Sequence, residues 1–139
     1  PLYIYCLTHN PIKILTGILI IVNIPVIEFL SEINSINADD FIILSRTKDP
    51  HKDPYVLLGK LEYDIYDMIE EIKQLTVTDF LRCQIDSKNK FGFMYSFIKK
   101  IYNISVFIKL AIVEENSKKS YVISFHEAEK DEFESCPYK

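Results

Sequence analysis

Two runs near the end of the chain, Val106–Glu114 and Ser120–Glu127, restrict the possible folds more than any other feature. Both are rich in β-branched and aromatic residues, and a short polar stretch, Asn116–Lys119, joins them, which is the pattern of an antiparallel hairpin. In the first run Val106, Ile108, Leu110 and Ile112 alternate with Phe107, Lys109, Ala111 and Val113. In the second, Tyr121, Ile123 and Phe125 alternate with Val122, Ser124 and His126. A one-residue slip would move every side chain to the other face, so the need to bury one face selects the register. The register with one wholly apolar face pairs Glu114 with Tyr121, Ile112 with Ile123 and Leu110 with Phe125. On the opposite face it sets Ala111 against Ser124 and Lys109 against His126, with the Cβ atoms of a direct pair ~5 Å apart.

Upstream, the strongest helical period is Tyr63–Leu75, where Ile65, Met68, Ile69, Ile72 and Leu75 form one apolar stripe. Val26–Ile36 reads as a second helix, with Ile27, Leu30, Ile33 and Asn34 at helical spacing. Thr76–Arg82 reads as a third and short one, capped by Thr76 or Thr78. Asp40–Arg46 is a short β-rich run, Thr47–Pro54 a loop with two Asp-Pro steps, and Asp86–Lys90 another loop. Phe91–Lys100 is an aromatic-rich strand that turns around Asn103 into the hairpin. Helices first and a strand meander last predict an α+β fold, with N-terminal helices on one face of a C-terminal antiparallel sheet.

A chain of 139 residues with 48% apolar side chains can build one core. Residues 26–139 read as that single domain, and residues 1–25 as an apolar leader, non-native or read from upstream of the true start, since the first residue is Pro. Ile14–Ile27 is strongly apolar but shorter than the ~20 residues of a membrane span, and it contains Asn23 and Pro25. No stable membrane association is expected, although a truncated anchor is an alternative. Three widely spaced cysteines, Cys6, Cys83 and Cys136, make neither a disulfide framework nor a zinc site, which fits a reducing cytoplasmic setting.

The net charge of −4 argues against indiscriminate coating of nucleic acid. It hides an asymmetry: residues 1–81 hold 6 basic and 12 acidic side chains, residues 82–139 hold 10 and 8. Between Arg82 and Lys109 stand Arg82, Lys88, Lys90, Lys99, Lys100 and Lys109 against Asp86 alone. A basic middle suits a local phosphate-binding surface; a solvated strand face is the alternative.

A lysine beside a histidine on the less buried face has a chemical use. RNA is cut without metal when its 2′-hydroxyl attacks the adjacent phosphate. That reaction needs a base for the 2′-hydroxyl proton, a cation for the phosphorane and an acid for the 5′-oxygen. Histidine titrates nearest neutrality and can act as acid or base. The alternative is a cross-strand pair with no task.

Several strings in order resemble the MqsR-like toxins of type II toxin–antitoxin systems: Leu75-Thr-Val-Thr-Asp-Phe80, Phe93-Met-Tyr-Ser-Phe-Ile-Lys99, Val106-Phe-Ile-Lys-Leu110, Ile123-Ser-Phe-His-Glu-Ala-Glu129 and Pro137-Tyr-Lys139. The resemblance runs from about Val26 to the C-terminus. It implies a RelE-like fold and a ribosome-independent endoribonuclease, an mRNA interferase, that needs no metal or cofactor. Its implied partners are mRNA and a cognate protein antitoxin, either DNA-binding or zinc-containing. It also implies roles for Arg82 on phosphate and for Lys99 and Tyr95 in positioning RNA, which Lys100 would join. The family's tyrosine in the Val-Tyr-Ile-Lys string is Phe107 here, so a hydroxyl assigned to catalysis is missing. Together with the predicted hairpin, this makes His126 the expected acid or base and Lys109 and Arg82 the expected phosphate cations. A decayed RNA- or protein-binding module of the same fold is the alternative. His9 and His51 are expected to be inert.

Overall fold

The computed structural model describes residues 16–88 and 90–134, with side chains from Pro25 onward. Its elements in chain order are helix α1 (Thr16–Ser35), strand β1 (Phe41–Ile43), helices α2 (Pro54–Leu61) and α3 (Ile65–Lys73), then strands β2 (Phe80–Ile85), β3 (Phe93–Ile101), β4 (Ile104–Glu114) and β5 (Lys118–Glu127), and helix α4 (Lys130–Glu134). The strands form one five-stranded sheet in the order β1-β5-β4-β3-β2. Strands β2 to β5 are an antiparallel meander, but β1 runs parallel to β5, pairing Phe41–Ile43 with Ser120–Val122. The fold is α+β as expected, and the sheet is mixed rather than antiparallel throughout. Helices α2 and α3 lie between β1 and β2 in the chain, which take opposite edges of the sheet, so β1 is not bound by a hairpin to antiparallel pairing.

One face of the sheet carries the main core. Val26, Phe29, Leu30 and Ile33 of α1, Leu57, Leu58 and Leu61 of α2, and Met68, Ile69 and Ile72 of α3 cluster with Phe97, Val106, Ile108, Leu110, Val122 and Phe125. Burying each such side chain stabilises the fold by about 1.5–3 kcal/mol. The α3 stripe follows the expected positions except at its start, where Ile65 is 36% exposed. Its first turn is held by a capping box in which Asp64 and Asp67 exchange side-chain-to-backbone hydrogen bonds at 2.8 and 2.9 Å. In α1 the buried stripe is Val26, Phe29, Leu30 and Ile33, so Ile27 points outward, 53% exposed. That helix begins at Thr16 and carries Pro25 inside it. The first 15 positions, with His9, Cys6 and the start of Ile14–Ile27, lie outside the described residues, as do Cys136 and Pro137-Tyr-Lys139. No helix among the described residues is long and apolar enough to cross a membrane.

The Thr47–Pro54 loop forms as expected apart from a 3-10 turn at Pro50–Lys52, and one other local expectation is corrected. The loop leads directly into α2, which has Pro54 at its first position and Asp53 accepting the Tyr55 N–H as cap. The run Thr76–Arg82 is not a helix: a single 3-10 turn, Val77–Asp79, ends at Phe80, and the chain enters β2. The Thr76 N–H does bond Asp79 Oδ2 at 2.9 Å, so the cap forms while the helix does not. Pairing with β3 and burial of Leu81 and Cys83 outweigh the weak local helical preference.

The β4–β5 register also differs from expectation. The strands close through Glu114–Lys118, and the pairs run to Ile112–Ser120, Ala111–Tyr121 and Leu110–Val122. The register then shifts, and beyond it Lys109 pairs with Ser124, Ile108 with Phe125, Phe107 with His126 and Val106 with Glu127. The extra residue is Ile123, a bulge that sends it and Ser124 to the same face. A strictly alternating β5 would have buried Tyr121 and Ile123 beneath the helices. The bulge instead buries Val122 and Phe125 there and lets Ile123 join Met94 and Ala111 in a small cluster on the opposite face. Lys109 and His126 are therefore diagonal neighbours on one face, not a direct pair.

Candidate functional site

The sheet face turned away from α1, α2 and α3 holds two rows. The β2–β3, β3–β4 and β4–β5 registers align Arg82, Ser96, Lys109 and Ser124 across four strands. The adjacent row is Ile98, Phe107 and His126. The Phe107 ring, 2% exposed, is the hub. Arg82 Cζ lies 5.9 Å and Lys109 Nζ 5.8 Å from its centroid, and the His126 imidazole stacks on it with centroids 5.4 Å apart and planes at 29°. Leu81, Ile98 and Ala128 pack around that ring. An aromatic face attracts cations, so the apolar hub holds two positive side chains close together.

The charge at this hub is concentrated. Burial, then the charges of Arg82, Arg46 and Lys52, lower the Lys109 ammonium below the ordinary lysine value, while Glu132 acts in the opposite direction. Arg46 and Lys52 reach the site from the segment between β1 and α2, which passes beside β5. Between Arg82 and Lys109 sits Ser96, fully buried, whose Oγ has no hydrogen-bond partner among the described residues. A buried hydroxyl without a partner is costly, and one flanked by two cations is suited to donate to an anionic oxygen.

His126 is 2% exposed, and both ring nitrogens are engaged. Nδ1 lies 3.0 Å from the Glu127 carbonyl, which can only accept, so Nδ1 is the donor. Nε2 lies 3.4 Å from Oε2 of Glu132 on α4. The other oxygen of Glu132 accepts the Glu129 N–H at 2.7 Å. Beside this end of β5 is a cavity of about 560 Å³ lined by His51, Val56, Leu57, Lys60, Glu127, Ala128 and Glu129. His51, expected to be inert, forms part of that cavity wall.

The expected site residues divide into two groups. Arg82, Lys109 and His126 come together on the helix-free face, Arg82 from within strand β2. Lys100 is exposed on the same face, paired with Ser105 near the β3–β4 turn. Lys99 and Tyr95 do not join them, because odd positions of β3 face the helices. The Lys99 ammonium pairs with Glu71 Oε1 at 2.7 Å and donates to the Glu71 carbonyl at 3.1 Å, closing the C-terminal turn of α3. Tyr95 stacks on Phe29 with centroids 3.9 Å apart, in the core. It borders a cavity of about 420 Å³ lined by Glu28, Glu32 and Glu114 with Lys118, whose ammonium pairs with Glu32 at 2.8 Å, so acidic groups outnumber basic ones there. Neither residue is placed to position RNA on the cationic face. Cys83 is also on the helix side, its thiol pushed up to about 12 by burial, with the Tyr95 hydroxyl opposing.

Ser96, Ser124, Arg46, Lys52 and Glu132 were absent from the residues expected at the site. Ser96 had a signal: a two-residue turn at Tyr102-Asn103 fixes the β3–β4 register and sets Ser96 opposite Lys109. Among the described residues no group of three or more His, Cys, Asp or Glu side chains is placed to hold a metal ion. No protein-family model, curated protein or solved structure matches the chain.

Proposed function

We propose that this chain is the toxin of a type II toxin–antitoxin system, an MqsR-like, RelE-fold endoribonuclease that cleaves mRNA without a ribosome or a metal. The observation that carries the proposal is the row Arg82–Ser96–Lys109–Ser124 with His126 diagonal to Lys109 on the helix-free face. Two cations flanking a buried hydroxyl match the three equatorial oxygens of a phosphorane better than they match a solvated strand surface. In the proposed reaction the 2′-oxygen bonds to phosphorus and the bond from phosphorus to the 5′-oxygen breaks. The products are a 2′,3′-cyclic phosphate and a 5′-hydroxyl. On the same proposal the substrate is cytoplasmic mRNA and the partner is a cognate antitoxin, DNA-binding or zinc-containing, that neutralises the chain.

The purified full chain should cut single-stranded RNA in EDTA and leave 2′,3′-cyclic phosphate ends. Lys109→Met should lower that rate by ~10²-fold or more. Cleavage that requires added metal, or a Lys109→Met variant as active as the parent, would refute the assignment. One observation favours a second reading, a module that binds RNA without cutting it: Phe107 places an apolar ring where the resembled family has a hydroxyl. RNA binding at this face with no products would identify that case.

A further inference from the structure

His126 is the side chain that sequence reasoning makes the acid or base, yet its surroundings leave it no free nitrogen. Nδ1 donates to the Glu127 carbonyl, and Nε2 faces Glu132 across 3.4 Å. The imidazole is 2% exposed and the Glu132 side chain 13%, so the carboxylate is the more accessible member of the pair. Glu132 is also oriented, since its Oε1 accepts the Glu129 N–H at 2.7 Å. It lies close enough to Lys109 to favour that residue's cation. Glu132 thus contacts the buried histidine and acts on the charge of a lysine of the cationic row, which puts a proton acceptor beside the phosphate cations.

We propose that Glu132 is the general base of the cleavage step and that His126 is a positioning residue behind it. The proposal rests on the endoribonuclease reading above. A carboxylate oxygen of Glu132 takes the 2′-hydroxyl proton as the 2′-oxygen–phosphorus bond forms. As the bond to the 5′-oxygen breaks, the Lys109 ammonium gives that oxygen a proton, and Arg82 stays on the phosphate. Glu132 then returns its proton to solvent and Lys109 regains one, so each turnover balances. Because Phe107 is the platform on which Lys109 and His126 rest, no hydroxyl at that position is required.

The test uses the full chain, a fluorogenic single-stranded RNA for cleavage, and the same sequence with 2′-O-methyl groups for binding. Glu132→Gln keeps size and hydrogen bonding but removes the base. It should cut ~10²–10⁴-fold more slowly, while binding the methylated RNA as tightly as the parent or more tightly. Glu132→Asp should recover part of the rate. A Glu132→Gln chain that cleaves at the parental rate or faster would overturn the base assignment alone. So would loss of cleavage in step with loss of binding, which marks a structural role. A parent chain that binds the methylated RNA but cuts nothing would overturn both the cleavage reading and the role of Glu132.

Discussion

Lys109 shows how the proposed phosphate binding and stability oppose each other at one residue. Its ammonium is half-buried beside Arg82 and within the fields of Arg46 and Lys52, which costs folding free energy unless an anion is present. Lys109→Met keeps the aliphatic stem and removes the charge. It should raise stability by roughly 0.5–2 kcal/mol in phosphate-free buffer and abolish the rise in melting temperature that inorganic phosphate gives the parent. Differential scanning fluorimetry with and without phosphate checks both. Lys99 is the opposite case. Burial pushes the Glu71 carboxyl up, but Lys99 and the Tyr63 hydroxyl outweigh it and hold the group below the ordinary carboxylate value. A lowered carboxyl stabilises the fold above its unfolded pKa, about 4.3, and that contribution is lost as pH falls through the folded value. Lys99→Met should therefore cost roughly 1–3 kcal/mol at neutral pH and flatten the acid limb of the stability curve, while RNA binding is unchanged. The parity of β4 and β5 let sequence put Lys109 and His126 on one face. The pattern of β3 alone does not separate Lys99 and Tyr95 from them, because Met94, Ser96 and Ile98 alternate with Tyr95 and Phe97 and both faces are apolar; only the register of the two-residue turn, with Lys99 opposite Val106, does so.

At the scale of elements, alternation predicts strands well and bulges badly. Strands β3, β4 and β5 lie close to their expected ranges, because β-branched and aromatic runs between polar turns have few other uses. Strand β2 was misread because Thr76 and Asp79 make a real cap, and a cap does not require a helix to follow it. The bulge at Ile123 was invisible to an argument that assumed a single period across β5, yet it decides which residues share the face with Lys109. Two variants separate the residue from the bulge. Ile123→Ala keeps the register and empties part of the Met94–Ala111 cluster, an effect of about 2–5 kcal/mol. Deleting Ile123 removes the extra residue, so Leu110–Val122 and Lys109–Ser124 become consecutive pairs and both sides of β5 keep their faces. The deletion loses the same side-chain packing and also the local bend, so guanidinium titration should give it a midpoint at or below that of Ile123→Ala; a higher midpoint would mean that the bulge itself strains the sheet.

At the scale of the molecule, the described residues gather cations on the helix-free face, so a chain of net charge −4 can present a locally cationic surface. On the helix side Glu28, Glu32 and Glu114 line one cavity against Lys118 alone; on the other Arg82 and Lys109 are joined by Arg46 and Lys52, with Glu132 beside them. Sequence windows showed the basic middle but assigned Arg46 and Lys52 to the acidic half, since only folding carries the β1–α2 segment to the edge of β5. Binding to RNA should therefore be steeply salt-dependent despite the net negative charge. With these four cations on phosphates, the logarithm of affinity should fall with the logarithm of salt with slope about −3, given ~0.7 per neutralised phosphate on a single strand. Lys52→Gln should reduce the slope by about 0.7. Lys118→Gln, whose ammonium is paired with Glu32 at 2.8 Å on the far side, should leave it unchanged. Fluorescence anisotropy of 2′-O-methyl RNA across a salt series measures all three slopes. If Lys52→Gln and Lys118→Gln shift the slope equally, binding follows total charge rather than the face, and the cationic row loses its claim to the phosphate.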